Sequence, residues 1–348
     1  LGHGEFVCEF ESSISRYLEG ASSVVCVNSG TAALHLALES LGLAGGAEVL
    51  VPTITYVATY QAITAAGLVP VSCDVDINTL FIDVEDAEKR ITEKTGCILP
   101  VHHSGASPDL DKVIALAKAY KLRVIEDAAQ AFGSENRNGK KVGHEPYDIL
   151  CFSFDGIKNI TCGEGGAIVS SDQKVTNYCR DARFLGVEKD SAVRDQGKRS
   201  WEFDVKSQGY RYHMSNVNAA IGLAQIEKLE YFKTQRQEHI RRYLKGLKGI
   251  KSVTFLDIDY SVIMPHIFVI RCKRRNELRD YLTKNAIETG IHYYPNHLLT
   301  KFKCSGYFPK ALQIYKEILT LPLHVDLSSQ ELNRVVRKIK EFYNDLSV

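Results

Sequence analysis

The chain has 348 residues, 45% of them hydrophobic, enough to bury a full core in more than one packed unit. Its 43 basic and 42 acidic side chains leave a formal net charge of +1, so no overall field draws it to nucleic acid or to an anionic membrane surface. Nine cysteines, odd in number and without CxxC pairs, argue against a disulfide framework or a structural zinc site and for a reducing, cytoplasmic compartment, while no apolar run approaches the roughly 20 residues that span a bilayer.

Phe6, Phe10, Ile14, Tyr17 and Leu18 form a helical stripe suited to packing on a larger body. Val24 to Val27 then reads as a strand that leads through Ser29-Gly30-Thr31 into an amphipathic helix, Ser29 to Leu41. The first N–H groups of such a helix have no intrahelical acceptor, and with two hydroxyls beside them they make a seat for an anion. Gly42, Gly45 and Gly46 stop the helix, and Glu48 to Pro52 reads as a buried strand. Tyr56 follows it, at a position that serves core packing as well as it serves a site.

Alternation continues with a strand at Val69 to Asp74, a helix at Asp83 to Ile91 and a strand at Cys97 to His102. The pair His102 and His103 has no third ligand at a recognisable spacing, so a metal is not expected. Ser104 to Asp109 caps a helix from Leu110 to Tyr120, and Leu122 to Asp127 is an apolar strand that ends in an acid. Open α/β sheets bind ligands at the carboxyl ends of their strands, so Asp127 is placed to face a pyridinium nitrogen, with the small Ala128 and Ala129 leaving room for a flat ring.

Two further apolar runs, Ile149 to Phe154 and Ala167 to Ser170, bracket a Gly-rich turn whose only basic residue is Lys158. A lysine in a turn is ordinarily a solvated charge. Withdrawn from water, however, it loses part of its preference for the ammonium form and its amine can condense with an aldehyde. Anion seat, ring-nitrogen acid and reactive lysine, in that order along the chain, describe an enzyme that uses pyridoxal phosphate (PLP).

A helix at Gln173 to Ala182 and a charged, irregular stretch from Val187 to Lys206 around Trp201 come next. One long helix, Ser215 to Arg242, is expected to bridge two domains. Strands at Val253 to Ile258, Ile263 to Cys272 and Gly290 to Tyr294 then alternate with helices at Asn276 to Lys284 and Gln330 to Leu346. The expected fold is α/β: a large domain, residues 1–235, with a mostly parallel sheet flanked by helices, and a small C-terminal α+β domain, residues 236–348.

Six motifs in order carry a resemblance to a known family: Ser29-Gly-Thr-Ala-Ala-Leu-His-Leu-Ala-Leu38, Val51-Pro-Thr-Ile-Thr-Tyr-Val-Ala-Thr59, Glu126-Asp-Ala-Ala-Gln-Ala131, Phe152-Ser-Phe-Asp-Gly-Ile-Lys158-Asn-Ile-Thr161, Gly163-Glu-Gly-Gly166 and Met214-Ser-Asn-Val-Asn-Ala-Ala-Ile-Gly222. Nearly the whole chain, to about Leu321, resembles the DegT/DnrJ/StrS family of sugar-nucleotide aminotransferases of PLP fold type I. The opening Leu-Gly-His-Gly resembles the middle of a family motif, so an upstream segment is expected.

That resemblance implies a cofactor with its phosphate on Gly30, Thr31, Ala32 and Ser153, its ring between Tyr56 and Ala129, its nitrogen against Asp127, its ring oxygen on Gln130 and its aldehyde on Lys158. His292-Tyr-Tyr-Pro-Asn-His297 resembles a His-Tyr-x-Pro-x-His signature near the sugar nucleotide, which implies substrate contacts from His292, Tyr293 and His297. Glu164 is suited either to bonding its own turn or to orienting a substrate hydroxyl. The chain departs from the family at Asp155-Gly156, where many members have His-Pro, and at Arg211, where the family has an Asn that crosses a homodimer interface to the phosphate. Because Lys158 is present, transamination is favoured over dehydration; Gly163-Glu-Gly-Gly166 favours a 4-keto over a 3-keto sugar, and glutamate is the expected donor.

Three other readings compete. An amino-acid aminotransferase would show a C-terminal arginine for the α-carboxylate, yet Arg334 and Arg337 read as helix-surface charges. A cysteine desulfurase needs a marked nucleophilic cysteine, and none stands out. A PLP-binding regulator without turnover is the third.

Overall fold

A computed structural model describes residues 2–20, 22–187, 203–205 and 207–344. Helix α1 (Glu5–Leu18) buries Val7, Phe10, Ile14 and Leu18 beneath a seven-stranded sheet. Strand β1 (Ser23–Val27) runs into α2 (Gly30–Ser40), and Ser29 caps that helix by accepting the Ala32 N–H at 3.1 Å. Then follow β2 (Glu48–Pro52), α3 (Val57–Ala65), β3 (Val69–Cys73), α4 (Val84–Lys89), β4 (Thr95–Ile98), α5 (Leu110–Tyr120), β5 (Arg123–Asp127), β6 (Ile149–Ser153), β7 (Gly166–Ser170) and α6 (Gln173–Ala182).

The sheet order is β1-β7-β6-β5-β4-β2-β3, with β3, β2, β4, β5 and β6 parallel, β7 antiparallel to β6, and β1 antiparallel to β7 and so aligned with the other five. Strand β5 is buried along most of its length, and successive residues serve opposite faces. Ile125 packs with α2 and α3, whereas Val124 packs with Val113 and Leu116 of α5. The same alternation sends Glu126 and Asp127 to opposite sides, where Glu126 meets the buried His102 at 2.9 Å. The mostly parallel sheet flanked by helices is therefore what the sequence leads one to expect.

The single helix expected from Ser215 to Arg242 is two helices, α7 (Asn216–Ile226) and α8 (Leu229–Leu247). The two halves serve different cores. Gly222 of α7 lies against α1 so closely that a Cβ there would sit 2.6 Å from the Phe10 ring, while Ile240, Tyr243 and Leu247 of α8 pack with Leu332, Val335 and Ile339. One straight helix could not aim both stripes.

A second sheet of three antiparallel strands has the order β10-β9-β8, from β8 (Val253–Phe255), β9 (Phe268–Cys272) and β10 (Ile318–Leu321). It is accompanied by α9 (Arg275–Lys284), α10 (Pro309–Glu317) and α11 (Ser329–Asn344). The strand expected at Gly290 to Tyr294 does not form. Only Gly290 bridges to Thr320, and β10 takes the place beside β9. Likewise β4 stops at Ile98, short of the expected His102, because Pro100 has no N–H to continue the ladder; Val101 rejoins β5 through one bridge to Asp127. Most of the irregular stretch expected around Trp201 lies outside the described residues.

Candidate active site

The carboxyl ends of the parallel strands and the start of α2 enclose a cavity of about 460 Å3. Gly30, Thr31, Tyr56, Asp127, Ala129, Gln130, Ser153, Lys158, Glu164, His292 and Tyr293 all line it. Of the other residues expected at the site, Ala32 is buried in the first turn of α2 and gives its N–H to Ser29, Arg211 is exposed beside Phe184, and His297 stacks on Phe308 at 4.2 Å with its Nδ1 2.7 Å from the Thr53 hydroxyl. A larger cleft of about 700 Å3, around Asp76, Asp83, Asp257 and Lys310, gathers none of these residues.

The anion seat is made by close approach. A Cβ at Gly30 would lie 2.6 Å from the Ser153 Cβ, and one at Gly166 would lie 2.4 Å from the Ser29 carbonyl oxygen. Two glycines thus let the start of α2 press on the ends of β6 and β7, which places the first helical N–H groups, the Thr31 hydroxyl and the Ser153 hydroxyl on one cavity.

Asp127 is 5% exposed, and its carboxylate accepts the Thr59 hydroxyl at 2.8 Å and the Ala129 N–H at 3.1 Å. Burial pushes its pKa up, against these bonds and the field of Lys158, which pull it down. Among the described residues no cation pairs with it. A buried carboxylate held in position by donors yet without a counter-ion fits a ligand that brings a positive charge, such as a protonated ring nitrogen.

Lys158 sits in the turn after β6, its N–H given to the Asp155 carbonyl at 3.0 Å. Burial lowers its pKa, with Asp127 and Asp155 opposing the shift, and its amine meets no hydrogen-bond or ion-pair partner among the described residues. The amine is therefore available to react. Gln130 is fixed at both ends of its amide: Oε1 accepts the Ser104 N–H and Nε2 donates to the Tyr293 hydroxyl, both at 2.8 Å, which leaves one Nε2 hydrogen for a ligand. The Tyr56 ring, 58% exposed, lies 5.8 Å from that of Tyr293.

Sequence reasoning missed Thr59 as the donor to Asp127, although it ends a quoted motif and stands three residues after Tyr56, one helical turn away. It also passed over Asp155 as a lining residue. No cysteine lines the cavity. Arg334 and Arg337 lie on α11, bonded to the Asn285 carbonyl and near Glu341 respectively.

A parallel sheet that presents an anion seat, a caged carboxylate and an unpaired lysine amine to one cavity defines a PLP enzyme of the aminotransferase fold. The chain belongs to the DegT/DnrJ/EryC1/StrS aminotransferase family, whose profile matches residues 1–340. It is 36% identical over 345 residues to the GDP-perosamine synthase of Escherichia coli O157:H7, covering 98% of this chain and 91% of that protein. Among solved structures it resembles DesV of S. venezuelae, with a TM-score of 0.89 and 30% identity over 98% of this chain and 90% of that one. It also resembles Bacillus subtilis NtdA with bound PMP, with a TM-score of 0.87 and 28% identity over 99% and 78% of the two chains. The protein is a PLP-dependent aminotransferase.

Proposed function

We propose that the protein transfers an amino group to a keto sugar carried on a nucleotide, with a 4-keto sugar and glutamate as the substrates. The relative named as a synthase of GDP-perosamine supports the substrate class. The observation that carries the chemistry is the unpaired Lys158 amine in the same cavity as the buried Asp127 carboxylate.

In this reading Gly30 and Thr31 at the start of α2, with Ser153, would hold the cofactor's phosphate, Ala32 having its N–H already bonded to Ser29, while Asp127 would keep the ring nitrogen protonated. When bound, PLP supplies an electron sink for the bonds at the donor's α-carbon. Asp127 is kept in place by Thr59 and Ala129, and Gln130, with one Nε2 hydrogen given to Tyr293, would hold the ring oxygen with the other. Lys158, once displaced as a free amine, would take the proton from the donor's α-carbon and, in the second half of the transfer, would deliver one to the sugar carbon that carried the keto oxygen. His292, its Nδ1 2.8 Å from the Thr320 hydroxyl, offers its other nitrogen to the substrate, as does the Tyr293 hydroxyl beyond Gln130.

In the same reading the site lies between a large unit, residues 1–235, and a small one, residues 236–348; that His292 and Tyr293 join a cavity otherwise lined between Ser29 and Glu164 supports the division. The working form is a homodimer in which Arg211 of one chain meets the phosphate held by the other. Its nine cysteines, all free, suit the cytoplasm, and among the described residues no helix is long and apolar enough to cross a membrane. The test is mass spectrometry of the products formed from glutamate and a panel of nucleotide-linked 3-keto and 4-keto sugars. A mass shift that marks replacement of a keto oxygen by an amino group is expected with the 4-keto set. Turnover confined to free amino acids would overturn the reading.

A further inference from the structure

Asp155 is the cavity residue whose bonds do not account for its charge. One carboxylate oxygen accepts the Ile157 N–H at 3.2 Å, and its own N–H reaches the Ser153 hydroxyl at 3.4 Å. The first is the bond of an Asx turn and the second its serine counterpart, and a neutral Asn at 155 would keep both. The second oxygen meets no donor or cation among the described residues, yet the residue is only partly exposed and lines the cavity beside Lys158.

Three carboxylates line that cavity. Asp127 is bonded by Thr59 and Ala129 and, in the function proposed above, belongs to the ring nitrogen. Glu164 is exposed, so water and salt screen it. Asp155 alone combines partial shielding with a free oxygen. Transamination brings two basic nitrogens to this place, Lys158 and the donor's amine, which arrives as an ammonium ion. One carboxylate cannot serve both them and the ring.

We infer that Asp155 is the counter-charge for these amines: its free oxygen recognises the ammonium group of the incoming amino donor, and its charge sustains the basicity of Lys158. The inference rests on Lys158 being the cofactor lysine. Of the other groups near Lys158, Asp127, from β5, also sustains its basicity, but in the function proposed above that carboxylate is taken by the ring nitrogen once the cofactor is bound. His266, from the segment before β9, and His292, from the segment before Pro295, are imidazoles that burial holds below their ordinary pKa. Neither imidazole brings a negative charge to the amine.

The variant Asp155→Asn keeps the acceptor for Ile157 and removes only the charge; Asp155→Ser keeps an oxygen that can cap the same turn. In the cofactor-free protein, competitive acetylation read on the Lys158 peptide by mass spectrometry gives the pH midpoint of that amine. The midpoint is expected to fall by about one pH unit in Asp155→Asn. In the holoenzyme the KM for the amino donor is expected to rise about tenfold while the KM for the sugar nucleotide does not rise. An unmoved midpoint in both folded variants overturns the inference, and so does collapse of both, which would assign Asp155 to the fold. Borohydride reduction and peptide mapping of the wild-type holoenzyme separate the two readings. Cofactor on another lysine removes the proposed function itself, whereas cofactor on Lys158 with an unmoved midpoint removes this inference alone.

Discussion

Thr59 donates its hydroxyl to Asp127 across 2.8 Å, from the first turn of α3 to the end of β5, and its own oxygen lies 3.0 Å from the Thr55 hydroxyl. The buried carboxylate is thus steered by a helix on the sheet face that it shares with Ile125. Thr59→Val keeps the shape and removes the donor, at a cost of about 1.5–3 kcal/mol to the charged form of Asp127. The expected result is weaker PLP retention and kcat lowered about tenfold or more, measured by cofactor titration and steady-state assay. Thr59→Ser should recover most of both; equal loss in Ser and Val variants would show that the methyl group, not the hydroxyl, matters.

Gly30→Ala tests the close approach of α2 to β6. Its Cβ would fall 2.6 Å from the Ser153 Cβ, so one element must shift. Overpacking of this kind costs about 1–3 kcal/mol, and here the shift also opens the anion seat. Thermal unfolding of the cofactor-free protein should fall by several degrees, and affinity for inorganic phosphate or PLP should drop with it. Gly45→Ala is the control, since no atom lies within 4 Å of its Cβ and its φ is ordinary; it should leave both measurements unchanged.

The sequence made the strand ending in Asp127 and the turn carrying Lys158 legible because each depends on local features: an apolar run with a polar terminus, and a lysine among glycines. Thr59 was hidden because its role depends on how α3 lies across β5, a relation between segments 68 positions apart that no periodicity records. The break between α7 and α8 was equally hidden. Apolar residues recur without interruption from Val217 to Leu229, and only the presence of two cores shows that the stripe must turn. His297 illustrates the reverse: a histidine singled out by its motif is satisfied by Thr53 and Phe308 outside the cavity.

Acid should unfold the protein through histidines buried in the neutral form. Burial pushes His103 down to about 4, with its Nε2 3.1 Å from the His292 carbonyl oxygen, and also lowers His266, His292, His239 and His297. Each takes up a proton in the unfolded chain before it does so in the folded one, so stability falls as pH drops from about 6.5 toward each folded value. For His103 alone the full effect is about 3 kcal/mol, reached near pH 4. Asp127 acts in the opposite sense, because burial raises its pKa and the folded state binds that proton first. The five histidines outweigh Asp127, and carboxyls held below their usual range, such as Asp83 bonded by Lys310, act in the same direction at lower pH, so the net sign is destabilising. Calorimetry of the cofactor-free protein should show a lower Tm at pH 5 than at pH 7, and His103→Gln should narrow the gap. A Tm unchanged between the two would contradict the neutral assignment.

Arg211 lies outside the cavity of its own chain, exposed, with its carbonyl 3.4 Å from the Asn28 amide nitrogen two residues before the α2 seat. If it serves the phosphate of a second chain, Lys158→Ala and Arg211→Ala damage different halves of each site. Chains carrying either change alone should be poorly active. Mixed and allowed to exchange subunits, they form heterodimers in which one site has lost both residues and the other is intact, so activity should return to about a quarter of wild type. An Arg211 that serves its own chain predicts no recovery, because every site would then lack one residue or the other. Recovery tracked against subunit exchange by native mass spectrometry decides between the two arrangements, and with them whether one chain suffices for the site.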